Sequence, residues 1–250
     1  MSLTGKQQTI LVAVFILVAG VLLAVPTAVH QSPLLEYVTH LRVAAKVERL
    51  PSDFERGQFY FNHGEAADGT YDLVKARAYF NSAIKADAQG NPFAWYQLGR
   101  IDFIEGKFDA AIYKFNKQLE YFGDEVPNVY YMLGLTYGFM GRDGAPESEY
   151  LQKGIDNFSQ FLDYYPDSPW ARTDIAWLHF LKGQYEAMLP VLEPGLAAHP
   201  EHPWLLNMYG LALLNTGEID AAQEAFATAQ QYAASLTTTD WGNAYPGNDP

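Results

Sequence analysis

Cysteine is absent from all 250 residues, which excludes disulfides, thiolate nucleophiles, Cys-ligated zinc and iron–sulfur clusters. Positive charge is scarce. Sixteen Lys and Arg stand against 29 Asp and Glu, a formal net charge of −13, and every charge except Lys6 lies beyond residue 30. A surface this acidic repels phosphate backbones, so no nucleic acid is expected as a partner. Catalytic motifs are missing too: there is no glycine-rich phosphate loop, no Gly-x-Ser-x-Gly elbow and no His-Glu-x-x-His helix. The pair His199 and His202 sits in a proline-bounded loop with no third ligand nearby in sequence, whereas a metal needs three or four converging groups. Asp102 and Glu105, three residues apart, share a helix face, and a solvated helix edge accounts for them. The chain is therefore read as not an enzyme, with no catalytic residue, cofactor or metal. With 49% apolar and 18% charged residues, it does have the composition of a folded domain.

Charge is also missing from residues 10–29, ILVAVFILVAGVLLAVPTAV. Twenty apolar residues in a helix span roughly 30 Å, the thickness of a bilayer core, and exceed the apolar part of a cleavable signal peptide. Residues 9–29 are expected to form an uncleaved transmembrane signal-anchor behind a polar head, 1–8. Arg42, Lys46 and Arg49 come after the span, but long domains translocate largely regardless of charge. The expectation is a single-pass membrane protein with its folded domain extracytoplasmic. In the linker, 30–53, Ser32 and Pro33 start a helix, and Leu34, Val38, Leu41 and Ala45 recur at helical spacing. That helix is either a stalk or a first element packed on the folded domain.

Residues 54–235 repeat with a period of 34–35. Ala76 and Phe80 recur as Ala111 and Phe115, Leu98-Gly99 as Leu133-Gly134, and Gly183 as Gly217. The pattern resembles the tetratricopeptide repeat (TPR) family: an aromatic, Leu-Gly, a Gly-x-aromatic turn, Ala, an aromatic, then Pro. Its clearest copy here is Trp95, Leu98-Gly99, Gly106-Lys107-Phe108, Ala111 and Phe115. A second has Tyr130, Leu133-Gly134, Tyr137, Gly141, Phe158 and Pro166, and a third Gly183-Gln184-Tyr185 and Pro200. Another carries Gly210, Gly217, Ala222, Phe226 and Ala229, and a weaker first copy Tyr60, Gly64, Ala76, Phe80 and Ala83.

The resemblance implies an all-α TPR-type helical-hairpin solenoid of about five repeats. Gly99 and Gly134 are expected to admit the rings of Phe115 and Phe158, because helices approach closely only where a small residue faces a large one. Gly106, Gly141, Gly183 and Gly217 are expected to end first helices in a left-handed cap. Gly141 to Gly183 is eight residues longer than the regular interval, read as about two added turns on the second helix of that pair. After Ser235 the helical pattern stops, and the tail, 236–250, contains Trp241 as a candidate plug over the last apolar face.

In this family the inner faces of the first helices line a concave groove. By that resemblance Phe93, Tyr96, Arg100 and Phe103 line it in the second repeat, and Asn128, Tyr131 and Leu135 in the third. Trp170, Thr173, Trp177 and Phe180 come next, then Trp204, Asn207 and Leu211. One Arg among aromatics and amides differs from the basic clamps of the family's chaperone-tail binders, so a C-terminal carboxylate is not the expected ligand. The alternative is that these rings simply pack between successive first helices. The expected function is a membrane-tethered protein–protein interaction scaffold that binds a partner protein or extended peptide in this groove. The alternative is a non-catalytic regulatory or substrate-binding subunit of a membrane enzyme or of a glycan-assembly or secretion machine.

Overall fold

The computed structural model describes residues 45–62, 72–88, 91–142 and 148–233. Ten full α-helices and no strands occur among them, in five consecutive hairpins. The first helices are α1 (Asp53–Asn62), α3 (Pro92–Ile104), α5 (Asn128–Arg142), α7 (Pro169–Leu181) and α9 (Pro203–Thr216). Their second helices are α2 (Leu73–Ala86), α4 (Phe108–Phe122), α6 (Glu149–Tyr164), α8 (Tyr185–Ala198) and α10 (Ile219–Ala233).

Local chemistry starts several of the helices where the chain turns. The side chains of Asp72, Asn91, Ser148 and Ser168 accept hydrogen bonds from backbone N–H groups of the first turns of α2, α3, α6 and α7. Pro92, Pro169 and Pro203 occupy the first helical position, where a missing N–H costs nothing. The turns out of first helices use left-handed glycines: Gly106, Gly183 and Gly217 have φ of 71°, 67° and 93°. Gly141 does not share that role. It lies buried inside α5, and a Cβ there would meet the Leu151 side chain at 2.6 Å, so it is a close-approach glycine between α5 and α6.

Within each hairpin, one small residue on the first helix receives one large side chain from the second. A Cβ on Gly99 would stand 2.4 Å from the Phe115 ring, and one on Gly134 would stand 2.7 Å from Phe158. Gly57 against Phe80 and Gly210 against Phe226 repeat the arrangement at 2.6 and 2.8 Å. Gly57 thus faces Phe80 in the first repeat, and Gly64 lies outside the described residues. In the fourth hairpin Ala176 takes the glycine position and the fully buried Leu192 the ring position. A larger small side facing a smaller large side conserves volume, the exchange that packed cores tolerate best.

The insertion is distributed differently from the expectation. α6 has 16 residues and the other second helices 14 or 15, so it is not two turns longer. α5 takes up part of the excess at its end, and residues 143–147 lie outside the described residues. α8 contains Pro190 and Pro194. These prolines leave the carbonyls of Glu186 and Pro190 without their helical donors. Apart from that, Arg172 of α7 donates to the Val191 carbonyl at 2.9 Å and to Pro166 O, tying α7 to α8.

The membrane assignment is corrected. Among the described residues no helix is long and apolar enough to cross a membrane. The expected span, 9–29, and the tail, 236–250, lie outside the described residues. The single-pass and extracytoplasmic assignments therefore have no support in the structure and are set aside. Of the linker helix, only its end is described: Val47 is fully buried with Tyr60, Phe61 and Phe80, and Leu50 packs against the same cluster.

Candidate partner-binding groove

Consecutive first helices touch one another, α3 with α5, α5 with α7 and α7 with α9, and so form one continuous inner layer. The expected groove residues fall into three groups on that layer. Phe93, Trp177 and Asn207 are exposed, the first two by 43% and 41%. Asn128, Trp170, Phe180, Trp204 and Leu211 are half-buried. Tyr96, Arg100, Phe103, Tyr131, Leu135 and Thr173 are buried, so their side chains pack rather than stand open.

The buried members show what they hold together. Arg100 donates to Gln97 Oε1 at 3.1 Å and stacks over Phe61 and Tyr96 at 4.8 and 5.6 Å. Phe103 meets Phe139 edge-on at 5.4 Å and Phe108 at 5.7 Å, bridging α3 and α5. Tyr131 lies 5.3 Å from Phe158 and 5.1 Å from Phe161, and its hydroxyl donates to Asp174 Oδ2 at 2.8 Å. Thr173 donates back to the carbonyls of Pro169 and Trp170 within its own helix.

Between α5 and α7 the inner layer opens into a cavity of about 300 Å³. Leu135, Gly138, Phe139 and Arg142 of α5 line one side, Asp174, Trp177 and Leu178 of α7 the other, with Phe158 of α6 behind. Leu135 and Trp177 belong to the expected groove, whereas Gly138, Phe139, Arg142, Asp174 and Leu178 were not among its residues. On α7 Trp177 lines the cavity, whereas Thr173 is buried and its neighbour Asp174 takes the cavity position. Trp177 stacks on Phe180 at 5.4 Å and 15°, which fixes one ring face and leaves the indole part-exposed.

The cavity has a cause in the sequence. Four residues after the small residue of each first helix stand Phe61, Phe103, Gly138, Phe180 and Leu214. Four of these repeats carry a large apolar side chain, and the third carries none. Gly138 therefore removes a ring from the seam between α5 and α7, and a Cβ there would approach Leu178 Cδ2 at 3.2 Å. The signal was present in the register, although a glycine three residues from another in a helix reads at first as mere tolerance.

The electrostatics of the cavity are set by one carboxyl. Burial pushes Asp174 up to about 7, and the hydrogen bond from Tyr131 only partly opposes it. Arg142 lies at the mouth with its guanidinium 5.1 Å from the centre of the Phe139 ring. The other candidates have structural employment. Arg77 of α2 clamps Asp102 at 2.6 Å and Glu105 at 2.9 Å, and Lys107 adds a second bond to Glu105. Lys107 and Arg77 hold the Glu105 carboxyl below its usual range, so the pair ties two hairpins together. His202 Nδ1 accepts from Leu205 N at the start of α9, and His199 Nε2 donates to the Asp167 carbonyl at 2.9 Å. Burial, with His199 beside it, lowers His202 to about 4.

Comparison with known proteins agrees with this architecture. Residues 205–235 match the family described as tetratricopeptide repeat. No curated protein matches the chain in sequence. Among solved structures, a crystal structure of MamA is 19% identical with a TM-score of 0.57, covering 66% of this chain and 90% of that one. A MamA fragment, 41-end, from Desulfovibrio magneticus RS-1 is 14% identical at a TM-score of 0.60, with 78% and 97% covered. YrrB, described as a TPR protein with an unusual peptide-binding site, is 16% identical at 0.58, with 78% and 92% covered. At these identities the likeness establishes the fold: an all-α, TPR-like solenoid.

Proposed function

We propose that this solenoid is a protein-interaction scaffold whose inner layer holds a partner protein or an extended peptide, anchored at the cavity between α5 and α7. The observation that carries the reading is Trp177: a stacked, 41% exposed indole that lines the cavity, in a chain where most described rings are buried or half-buried. Fixed aromatics beside a desolvated pocket are the usual anchors of protein interfaces. Structural likeness to YrrB, itself described as having a peptide-binding site, lends the same direction. The cavity's lining offers one carboxyl and no nucleophile with an adjacent base, which favours binding over turnover.

The test is partner capture by the full chain against two variants. Trp177→Ala should lose a partner that wild type retains, while Glu186→Ala, an exposed change on the second helix α8, should keep it. Retention of every partner by Trp177→Ala, or equal loss with both variants, would remove the inner layer from the account.

A further inference from the structure

Resting on the scaffold reading, the geometry points to what the cavity selects: we propose that it is a specificity pocket for one lysine or arginine side chain of the bound segment, with Asp174 meeting the charged end and Trp177 forming the wall. At about 300 Å³ it stands at the small end of ligand pockets, which run about 300–1,000 Å³, a size for one side chain rather than a cofactor. Its lining is mostly hydrocarbon and ring: Leu135, Phe139, Phe158, Trp177 and Leu178 beside the bare backbone of Gly138. Long basic side chains bury an apolar stem and deliver a charge at its end, which matches an apolar lining that includes one carboxylate.

Alternatives fare worse on the same geometry. Tyr131 donates to Oδ2 of Asp174, and no hydrogen bond among the described residues engages Oδ1. A purely apolar side chain filling the pocket would desolvate that oxygen and give nothing back. An acidic side chain would place two carboxyls in one low-dielectric space. A cation instead supplies a counter-charge for the half-buried Asp174 carboxyl, whose raised position reflects packing among apolar atoms. The indole of Trp177 adds a cation–π wall. The charge of the whole chain, −13, draws basic segments toward the solenoid and repels acidic ones. Arg142 works against the cation at the mouth, with its charge partly committed to the Phe139 ring at 5.1 Å. That opposition is itself diagnostic.

The experiment titrates the full chain, at pH 8, with acetylated and amidated nine-residue peptides that differ only at a central Lys, Arg, norleucine or Glu. The indole N–H resonance of Trp177, assigned by its loss in Trp177→Phe, reports occupancy. Lys and Arg peptides should shift it saturably and bind at least tenfold more tightly than the norleucine or Glu peptide. Asp174→Asn, which keeps an acceptor for Tyr131, should weaken the Lys peptide at least tenfold and leave the norleucine peptide unchanged. Arg142→Gln, an exposed change, should tighten the Lys peptide twofold or more, and it carries the test alone if Asp174→Asn does not fold.

Equal binding of norleucine and Lys peptides, preference for Glu, or weakening of the Lys peptide by Arg142→Gln would overturn the basic-pocket assignment while leaving a groove that binds peptides. No response of Trp177 to any peptide would also overturn it, and the groove itself then stands or falls on the partner capture above.

Discussion

Two seams of the inner layer, built from the same repeat, differ by one ring. Between α3 and α5, Phe103 fills the space and meets Phe139 at 5.4 Å, and no groove residue there except Phe93 at the helix start is open. Between α5 and α7, the equivalent position is Gly138, and the space is a cavity bordered by Trp177 and Asp174. Both seams join the first helices of successive hairpins, and at this position they differ by a whole ring. A solenoid is well suited to this. Each repeat contacts mainly its neighbours, so one seam can be emptied without disturbing the rest.

The largest effects should come from breaking what the two seams share, the glycine-to-ring contacts inside hairpins. Gly99→Leu and Gly134→Leu put side-chain atoms where the Phe115 and Phe158 rings already stand, at 2.4 and 2.7 Å from the new Cβ. Overpacking of this kind costs about 1–3 kcal/mol or more, and no flexible end is available to yield, so values at or above the top of that range are expected in urea unfolding. Phe115→Ala should cost a similar amount, about 3–5 kcal/mol, by emptying the same contact.

Exchanging the residues that distinguish the seams sharpens the comparison. Phe103→Gly should open a second cavity between α3 and α5 and destabilise by about 3–5 kcal/mol, with roughly 1 kcal/mol more for glycine in a helix. Gly138→Ala is the mirror change. Its methyl meets only the end of Leu178, at 3.2 Å, and alanine gains about 1 kcal/mol of helix propensity, so stability should hold or rise while the pocket narrows. A loss of stability above about 2 kcal/mol in Gly138→Ala would show that the seam is already full.

The open seam should also carry a pH signature. Asp174 sits at about 7 in the folded chain against 3.8 for the free group, so the folded state binds the extra proton between those values. Its stabilising contribution is present below about 4 and is lost as pH rises through 7, with a slope of at most about 1.4 kcal/mol per unit. His202 has the opposite sign. Its folded value near 4 against 6.5 makes stability rise as pH climbs between them. The facing groups at Asp174 are Tyr131 from α5 and, at the cavity mouth, Arg142. Denaturation of Asp174→Asn and of His202→Asn from pH 4 to 8 separates the two. Relative to wild type, Asp174→Asn should gain stability toward pH 8, and a flat difference would contradict the burial of its carboxyl.

Legibility in the sequence has the same physical basis. Periodic features repeat four or five times and reinforce one another, so the hairpins, the left-handed turns at Gly106, Gly183 and Gly217, and the Gly99 and Gly134 contacts could be read directly. Single departures could not be read that way. Gly141 looks like the other turn glycines, yet α5 runs on past it because Leu151 packs against its bare face. The family pattern places Trp177 at the cavity but picks buried Thr173 where its neighbour Asp174 lines it, because the pattern holds no information on which side of a helix a seam is left open. Asp102 and Glu105 read as solvated because their partner, Arg77, lies 25 and 28 residues away in another hairpin.

The smallest stability effect should be Trp177→Ala, and it decides what the open seam is for. The indole stacks on Phe180 on one face but is 41% exposed, and the ring does not fill a hole in another helix. Truncation should therefore cost about 1 kcal/mol or less, mainly the value of one aromatic pair. Tyr131→Ala provides the contrast: at 6% exposure, between Phe158 and Phe161 and bonded to Asp174, it should unfold the domain almost as readily as Phe115→Ala. Partner affinity should rank the other way for the folded variants. Trp177→Ala should weaken binding by about 2 kcal/mol or more, the range of aromatic anchors, because the loss falls in the lining of the pocket where a bound segment would be desolvated. If Trp177→Ala instead destabilises by several kcal/mol, its ring is an internal support of α7, and the two seams differ in packing without differing in purpose.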